Sequence, residues 1–278
     1  MLTLFRALSV LPLWVLHAAG WALGWAAYLG SPVYRRRLRD NAAQAGVPPG
    51  ERRAAVGASG KLVAELPRLW FGAPVPIGWD GAQWIEAAHA QARGIVFLTP
   101  HLGCFEITAQ GYAQRYGAAR GPITVLYRPA RKAWLRALVD GARSRPGLVT
   151  APTTLSGVKQ MLKALKKGEA VGLLPDQVPP LGLGVWAPFF GRDAYTMTLS
   201  ARLAQQSGAQ VLLAWGERLG WGRGYLIHVR PLGAALAVEP AAAAAQVNAA
   251  MQTLVRECPR QYLWGYARYK APRQDAAP

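Results

Sequence analysis

The chain has 278 residues, with 32 Lys and Arg against 14 Asp and Glu, and a formal net charge of +18. That length is enough for one large α/β domain with a sizeable core and an appendage. Hydrophobic residues make up 52% of the chain and include 11 tryptophans. This mixture argues against a nucleic-acid binder and is typical of a protein held on an anionic membrane surface by charge and apolar area.

The N-terminal segment is apolar, since Ala7 to Gly30 contains no Lys, Arg, Asp or Glu. A run of this length can cross a bilayer with some tilt. Four arginines between positions 35 and 39 follow it and only Arg6 precedes it, a bias that places the downstream part in the cytoplasm. The sequence therefore predicts a membrane-anchoring helix over residues 1–30 and an α/β domain over residues 31–278. A helix lying deep in the membrane interface and a buried core helix are the alternatives.

Basic amphipathic helices are predicted over Tyr34–Ala45 and Glu51–Trp70, with Pro67 ending or kinking the second one early. A short helix over Gly81–Gln91 follows, and strands then alternate with helices. The predicted strands are Ile95–Leu98, Ile123–Tyr127, Leu148–Thr150, Ala170–Leu174, Val211–Trp215 and Tyr225–Val229, and the predicted helices among and after them are Phe105–Tyr116, Lys132–Arg145, Thr154–Lys167, Thr198–Ser207 and Pro240–Cys258. This alternation predicts an α/β fold with a largely parallel central sheet flanked by helices.

The stretch Thr99–Glu106 carries the strongest chemical signal of the chain. Pro100 and Gly103 bend the backbone between the first predicted strand of the alternating series and the helix that follows it. His101 can then lie on the strand-end turn and Glu106 in the first helical turn, at the sheet edge where open α/β folds place their sites. A carboxylate bonded to one imidazole nitrogen leaves the other free to take a proton from a hydroxyl. We therefore predict a catalytic dyad of His101 and Glu106, with a hydrogen-bonded loop histidine as the alternative.

Two further strand ends deliver polar side chains to the same edge. Arg128 follows one strand, and its planar guanidinium is suited to gripping a phosphate. Asp176 and Gln177 follow another strand and bring a carboxylate and an amide. We predict all three as substrate-binding residues. The alternatives are a solvated basic face for the arginine and a turn residue bonded to its own backbone for the aspartate.

Cys104 lies beside the dyad, but no second base flanks it, which favours a buried and inert thiol over a nucleophile. Phe189 and Phe190, in a predicted loop, either pack inward or line an acyl groove, and inward packing is favoured. The chain contains no Gly-x-Ser-x-Gly elbow and no Walker motif, which removes the commonest hydrolase and nucleotide-binding functions. No metal and no cofactor are expected.

Several motifs in a fixed order resemble the late lipid A biosynthesis acyltransferases, the lauroyl and myristoyl transferases of Gram-negative bacteria. Besides the apolar N-terminus they are His101–Glu106, Tyr127–Pro129 with Arg143–Gly147, Leu174–Gln177, Pro188–Gly191 and Gln261–Trp264. The resemblance covers most of the chain. The family more often has Asn-Trp where this chain has Cys104-Phe105, and it often has a second acid where this chain has Val178.

The resemblance implies acyl transfer from acyl carrier protein to a hydroxyl or hydroxyacyl group of a lipid A precursor, in lipopolysaccharide biosynthesis. It implies a protein associated with the bacterial inner membrane, with its catalytic part on the cytoplasmic face, and no nucleic-acid partner. Two other functions stay open. One is an acyltransferase for another membrane glycolipid or aminolipid, and the other is a non-catalytic basic protein of the membrane surface.

In that chemistry His101 takes the proton of the acceptor hydroxyl, and Glu106 orients the imidazole and stabilises its charged form. The hydroxyl attacks the thioester directly, so no acyl-enzyme forms. Backbone groups near Gly103 are the candidate donors to the oxyanion. Arg128 would hold a substrate phosphate or the phosphopantetheine of the donor, and the Asp176–Gln177 pair would shape the site.

Overall fold

The structure, a computed structural model, describes residues 2–127 and 145–273. Its helices there are α1 (Leu2–Ser9), α2 (Leu13–Gly30), α3 (Pro32–Gln44), α4 (Pro49–Ala64), α5 (Leu66–Phe71), α6 (Ala82–Ala90), α7 (Phe105–Arg120), α8 (Leu155–Lys166), α9 (Leu199–Ser207) and α10 (Pro240–Glu257). Its strands are β1 (Ile77–Asp80), β2 (Ile95–Leu98), β3 (Ile123–Tyr127), β4 (Leu148–Pro152), β5 (Ala170–Leu173), β6 (Gly184–Phe189), β7 (Arg192–Met197), β8 (Gln210–Arg218) and β9 (Tyr225–Pro231). Arg128 and most of the helix predicted over Lys132–Arg145 lie outside the described residues.

Seven strands form the central sheet, in the order β1-β9-β8-β2-β5-β3-β4. Strands β2, β3, β4, β5 and β8 run parallel, and in this register Leu98 lies level with Leu173 on one side and Leu213 on the other. Strand β9 runs antiparallel to β8, because a short turn joins the two and short turns connect antiparallel strands. The predicted α/β class with a mostly parallel central sheet flanked by helices is confirmed.

The sheet is covered on both faces, which explains its continuous apolar strands. All four residues of β2 are buried, and so are all four of β5. One core lies between the sheet and α8, α9 and α10, and the other lies between the sheet and α6 and α7. A strand buried on both sides has no polar face, so its sequence reads as an unbroken hydrophobic run.

The structure adds strands that the sequence pattern did not reveal. Strand β1 lies between the predicted helices Glu51–Trp70 and Gly81–Gln91, where no strand is predicted. Strands β6 and β7 form an antiparallel hairpin that includes the predicted loop around Phe189 and Phe190. Phe190 and Gly191 make its tight turn, both with positive φ. Phe189 and Phe190 are buried, which confirms inward packing.

The N-terminal apolar run departs from its prediction. It forms two helices, α1 and α2, separated at residues 10–12, where Pro12 precedes α2. No helix within residues 2–127 and 145–273 combines the length and apolarity needed to cross a bilayer. A spanning anchor over residues 1–30 is therefore not supported.

The physical reason lies in the packing of α2 against α4. A Cβ added to Gly60 would lie 2.0 Å from the carbonyl oxygen of Gly20, and one added to Gly24 would lie 2.3 Å from that of Val56. The glycines thus let two backbones approach closely. In addition, His17 in α2 contacts the buried carboxylate of Glu65 at 3.1 Å. One face of α2 therefore packs against the rest of the protein.

Candidate active site

His101 lies three residues beyond the end of β2, on a turn held from two sides. Gly103 has φ +59°, and a Cβ there would lie 2.0 Å from the Gly216 carbonyl oxygen, so the turn requires glycine. The Gly103 amide donates to the Gln261 carbonyl, and the Leu263 amide donates to the His101 carbonyl. Strand β8 and the segment after α10 therefore fix the backbone that presents His101.

The carboxylate in contact with His101 belongs to Asp176. The distance from His101 Nδ1 to Asp176 Oδ1 is 2.7 Å, and the His101 amide donates to Oδ2 at 2.8 Å. The Gln177 side-chain amide lies 3.0 Å from His101 Nε2. Because an ionised carboxylate only accepts and an amide N–H donates, Nδ1 carries the proton and Nε2 offers a lone pair. This is the tautomer that a general base requires.

Asp176 is buried, and its surroundings keep it ionised. Burial by itself would raise the pKa of this carboxyl group, but the charge and hydrogen bonds of His101, together with the charge of Arg268, hold it below its usual range. Tyr262 lies near Asp176, and burial together with the charge of that carboxylate raises the pKa of its hydroxyl well above the usual value. Tyr262 thus stays protonated.

Glu106 lies buried in the first turn of α7, where the sequence predicts it. Burial lowers the pKa of Arg145, and the charge of Glu106 opposes that shift. The Nδ1 atom of His101 contacts Asp176, and its Nε2 atom contacts Gln177. The pairing of His101 with Glu106 stays a prediction.

The backbone groups near Gly103 are engaged elsewhere. The amides of Leu102, Gly103 and Cys104 donate to the carbonyls of Pro100, Gln261 and Gly216 respectively. These three amides are therefore not free to donate to an oxyanion, because the packing of the turn uses each of them, and the oxyanion donor near Gly103 stays a prediction.

Cys104 has no exposed surface. Burial, together with the charge of nearby Glu65, raises the pKa of its thiol well above the usual value. A protonated, buried thiol is a poor nucleophile. The prediction that Cys104 is buried is confirmed.

A buried ion pair supports the His101 turn from below, and sequence reasoning missed it. Arg218 Nε and Nη2 each lie 2.6 Å from an oxygen of Glu65, and Nη2 also donates to the Gly103 carbonyl at 3.1 Å. His17 and the Tyr225 hydroxyl complete the shell of the carboxylate. Burial would raise the pKa of Glu65, yet Arg218 and His17 lower it to about 2. Glu65 stood inside a predicted helix, where no local signal marked it.

An apolar cavity opens beside His101, between α7 and the sheet. Its cavity volume is about 40 Å³, and its lining includes Phe97, Phe105, Tyr112 and Ile227. The ring of Phe105 packs edge-on against His101, with their centroids 4.9 Å apart. The site thus combines a polar edge with a dry pocket.

The sequence profile of a family described as bacterial lipid A biosynthesis acyltransferase matches residues 2–271. The chain belongs to this family. It is 30% identical over 200 residues to the lipid A biosynthesis lauroyltransferase of Escherichia coli strain K12, covering 71% of this chain and 63% of that protein. It is 27% identical over 206 residues to the lipid A biosynthesis palmitoleoyltransferase of that strain, covering 73% and 62%. The chain therefore spans less than two thirds of the length of these curated relatives.

The motifs that resemble the lipid A biosynthesis acyltransferases converge in space. His101–Glu106 follows β2, Leu174–Gln177 follows the adjacent β5, and Gln261–Trp264 reaches back to the turn between β2 and α7. Parallel neighbours end at the same edge of a sheet, so motifs about 75 residues apart meet there. Gln177 and Asp176 lie where they were predicted, and Arg128 lies outside the described residues.

Proposed function

We propose that this chain transfers a fatty acyl group from acyl carrier protein to a hydroxyl of a lipid A precursor. The observation that carries the proposal is the series Asp176–His101–Gln177, in which a buried carboxylate holds the imidazole in its basic tautomer. Membership of the family and the names of the relatives, which include a lauroyltransferase and a palmitoleoyltransferase, support this reaction class.

In the proposed mechanism the acceptor hydroxyl takes the place of the Gln177 amide at His101 Nε2. His101 removes the hydroxyl proton while the oxygen attacks the thioester carbonyl, and Asp176 stabilises the resulting imidazolium. The tetrahedral intermediate then expels the phosphopantetheine thiolate, which takes the proton back from His101. Gln177 supplies a hydrogen bond to the substrate oxygens. No acyl-enzyme is formed.

Glu106 enters the proposal as a second buried carboxylate of the site. Its charge opposes the effect of burial on the pKa of Arg145, and we propose that it helps to position the groups around His101. The role of Arg128 in holding a phosphate is proposed from the family resemblance.

In this proposal the apolar cavity beside His101 contacts only the part of the acyl chain next to the thioester, because its volume is about 40 Å³. Its lining is hydrophobic and aromatic, as an alkyl chain requires, and Phe105 separates it from the imidazole.

We further propose that the protein works at the cytoplasmic surface of the inner membrane. The outer face of α2 exposes large apolar side chains, among them Trp14, Trp21, Leu23 and Leu29. The excess of Lys and Arg suits both an anionic bilayer and acyl carrier protein, which is acidic.

The test uses the purified full chain, acyl carrier protein loaded with mixed acyl groups, and mass spectrometry of the lipid product. His101→Ala should abolish transfer, and Asp176→Asn should lower kcat on the order of a hundredfold or more. His228 is a matched control, because it also lies between two carboxylates, Asp80 and Glu217. His228→Ala should leave turnover near wild type.

Near-normal turnover by His101→Ala would overturn the mechanism. Transfer only to a different glycolipid or to an aminolipid would keep the chemistry and replace the acceptor. Vesicle binding unaffected by His101→Ala, with no transfer by the wild type to any acceptor, would establish a non-catalytic membrane-surface protein instead.

A further inference from the structure

The turn between β8 and β9 holds a tryptophan that the fold does not use. Trp221 is 92% exposed, and its φ is +59°. A non-glycine residue in this region carries backbone strain. Gly220 and Gly222 flank it and allow the tight turn that holds the Trp221 ring in solvent. A strained, fully exposed aromatic side chain points to a partner.

This turn packs against the beginning of α2. A Cβ added to Gly222 would lie 2.4 Å from the backbone nitrogen of Trp14. The Trp14 side chain is itself 60% exposed, and Trp21, two helical turns later, is 52% exposed. The turn and the outer face of α2 therefore form one surface that exposes the indoles of Trp221 and Trp14. The Trp21 indole adds its outer side, because its inner side packs on Gly57 of α4.

Basic residues accompany this aromatic surface. Arg223 is exposed within the turn, where its Nε donates to the Gly220 carbonyl, and Arg6 is exposed on α1. Tryptophan favours the boundary between lipid headgroups and acyl chains, and arginine binds anionic headgroups. Among possible partners, an anionic bilayer matches both the rings and the charge.

The turn lies at the same sheet edge as His101. Strand β8 runs parallel to β2, with Leu213 opposite Leu98, and it continues to Arg218, which donates to the Gly103 carbonyl. The Trp221 turn begins directly after Arg218. A bilayer that receives Trp221 therefore faces the edge that carries the candidate site.

We propose that the Trp221 turn and the outer face of α2 form a docking surface for an anionic phospholipid bilayer, seating the His101 edge on the membrane. The benefit of this orientation rests on the proposed function, because a lipid acceptor would enter from the bilayer. The docking itself is independent of the reaction.

The experiment measures partition of the purified full chain onto phosphatidylcholine vesicles that contain phosphatidylglycerol. Trp221→Ala should lower the partition coefficient roughly tenfold, the loss expected for one buried aromatic ring. Trp221→Gly should do the same while relieving the backbone strain, so misfolding cannot account for both results. Trp84, 40% exposed, is the matched control. It lies on α6, which follows β1 at the opposite edge of the sheet, and Trp84→Ala should partition as wild type.

A second measurement locates the ring directly. Cys104 and Cys258 are buried, so a Trp221→Cys variant can be labelled selectively with an environment-sensitive fluorophore. Its emission should shift to the blue on vesicles and be quenched by lipids brominated in the upper acyl chain. His101→Ala should bind vesicles as wild type, which separates this result from failure of the proposed reaction.

Wild-type partition by both Trp221→Ala and Trp221→Gly, or a label that stays in water, would overturn the proposal. Light scattering of the protein without lipid measures its oligomeric state and provides the remaining test. If Trp221→Ala dissociates an oligomer, the surface binds a second copy of the chain and the bilayer proposal is wrong.

Discussion

Among single residues, Glu65 has the widest set of contacts beneath the site. It is completely buried and receives two short hydrogen bonds from Arg218. It connects to α2 through His17, to β9 through Tyr225 and to the His101 turn through Arg218. Removing one member of a buried ion pair leaves the other charge uncompensated in a medium of low polarity, and this cost exceeds the net value of the intact pair. Glu65 and Arg218 are therefore positioning residues.

Glu65→Gln is expected to lower the free energy of unfolding by about 3–5 kcal/mol, because Arg218 loses its counter-charge. Urea unfolding followed by circular dichroism measures the change. The control is Glu86→Gln, since Glu86 is 56% exposed in its pair with Arg115, and such pairs contribute about 0–1 kcal/mol. Equal effects of the two substitutions would contradict the structural role of Glu65.

The same carboxylate predicts a dependence of stability on pH. The pKa of Glu65 is about 2 in the folded protein, against an ordinary value of 4.5. A carboxyl group whose pKa is lowered by folding stabilises the folded protein at any pH above the unfolded-state pKa. This contribution is roughly 3 kcal/mol at most, and it is lost as the pH falls from 4.5 toward 2. Unfolding free energies measured across that range should fall less steeply for Glu65→Gln than for the wild type. Identical slopes would argue against the assignment.

Cys104→Ser is expected to keep substantial transfer activity. The thiol is buried and protonated, and the proposed mechanism uses no covalent intermediate. Kinetics of the variant and mass spectrometry of the wild type after incubation with donor alone provide the measurement. An acyl group trapped on Cys104 would replace direct transfer by a two-step mechanism.

At the scale of elements, α2 packs against α4 through glycines rather than lying apart as a separate anchor. Gly60→Ala places a methyl group against the α2 backbone and should destabilise the protein by about 1–3 kcal/mol, seen as a lower thermal midpoint. Gly30→Ala is the control, because nothing lies within 4 Å of its added Cβ. If both variants melt like the wild type, the two helices do not pack as described.

The predicted boundary at residue 30 can be tested by deletion. Residues 1–30 include His17, a ligand of the buried Glu65 carboxylate, and the glycines that face α4. We expect their removal to lower stability as well as vesicle binding, because it exposes α4. A truncated chain that melts at the wild-type temperature would support an independent anchor.

For the whole molecule, charge and apolar area act together. A net charge of +18 attracts the protein to anionic lipid over a distance that salt screens to about 10 Å at 0.1 M. Vesicle binding should therefore weaken as salt rises and level off at the part contributed by apolar side chains. Binding that vanishes at high salt would mean that charge alone holds the protein.

The sequence alone determined the α/β class, most of the elements and the family. The bounds of β2 and β3 match their predictions because both strands are short runs of apolar and β-branched residues, and the ordered motifs identify the lipid A biosynthesis acyltransferases. Local patterns also placed His101 on a strand-end turn. They hold no information on which strands become neighbours.

Only the tertiary structure decided the partners of these residues. Asp176 contacts His101 because β5 lies beside β2, and Glu65 binds Arg218 because α4, α5 and β8 meet beneath the turn. The packing of α2 against α4 was decided in the same way, because the sequence of an apolar helix looks the same whether lipid or protein covers it. These outcomes depend on contacts between segments far apart in the chain, and such contacts form through the packing of the whole fold.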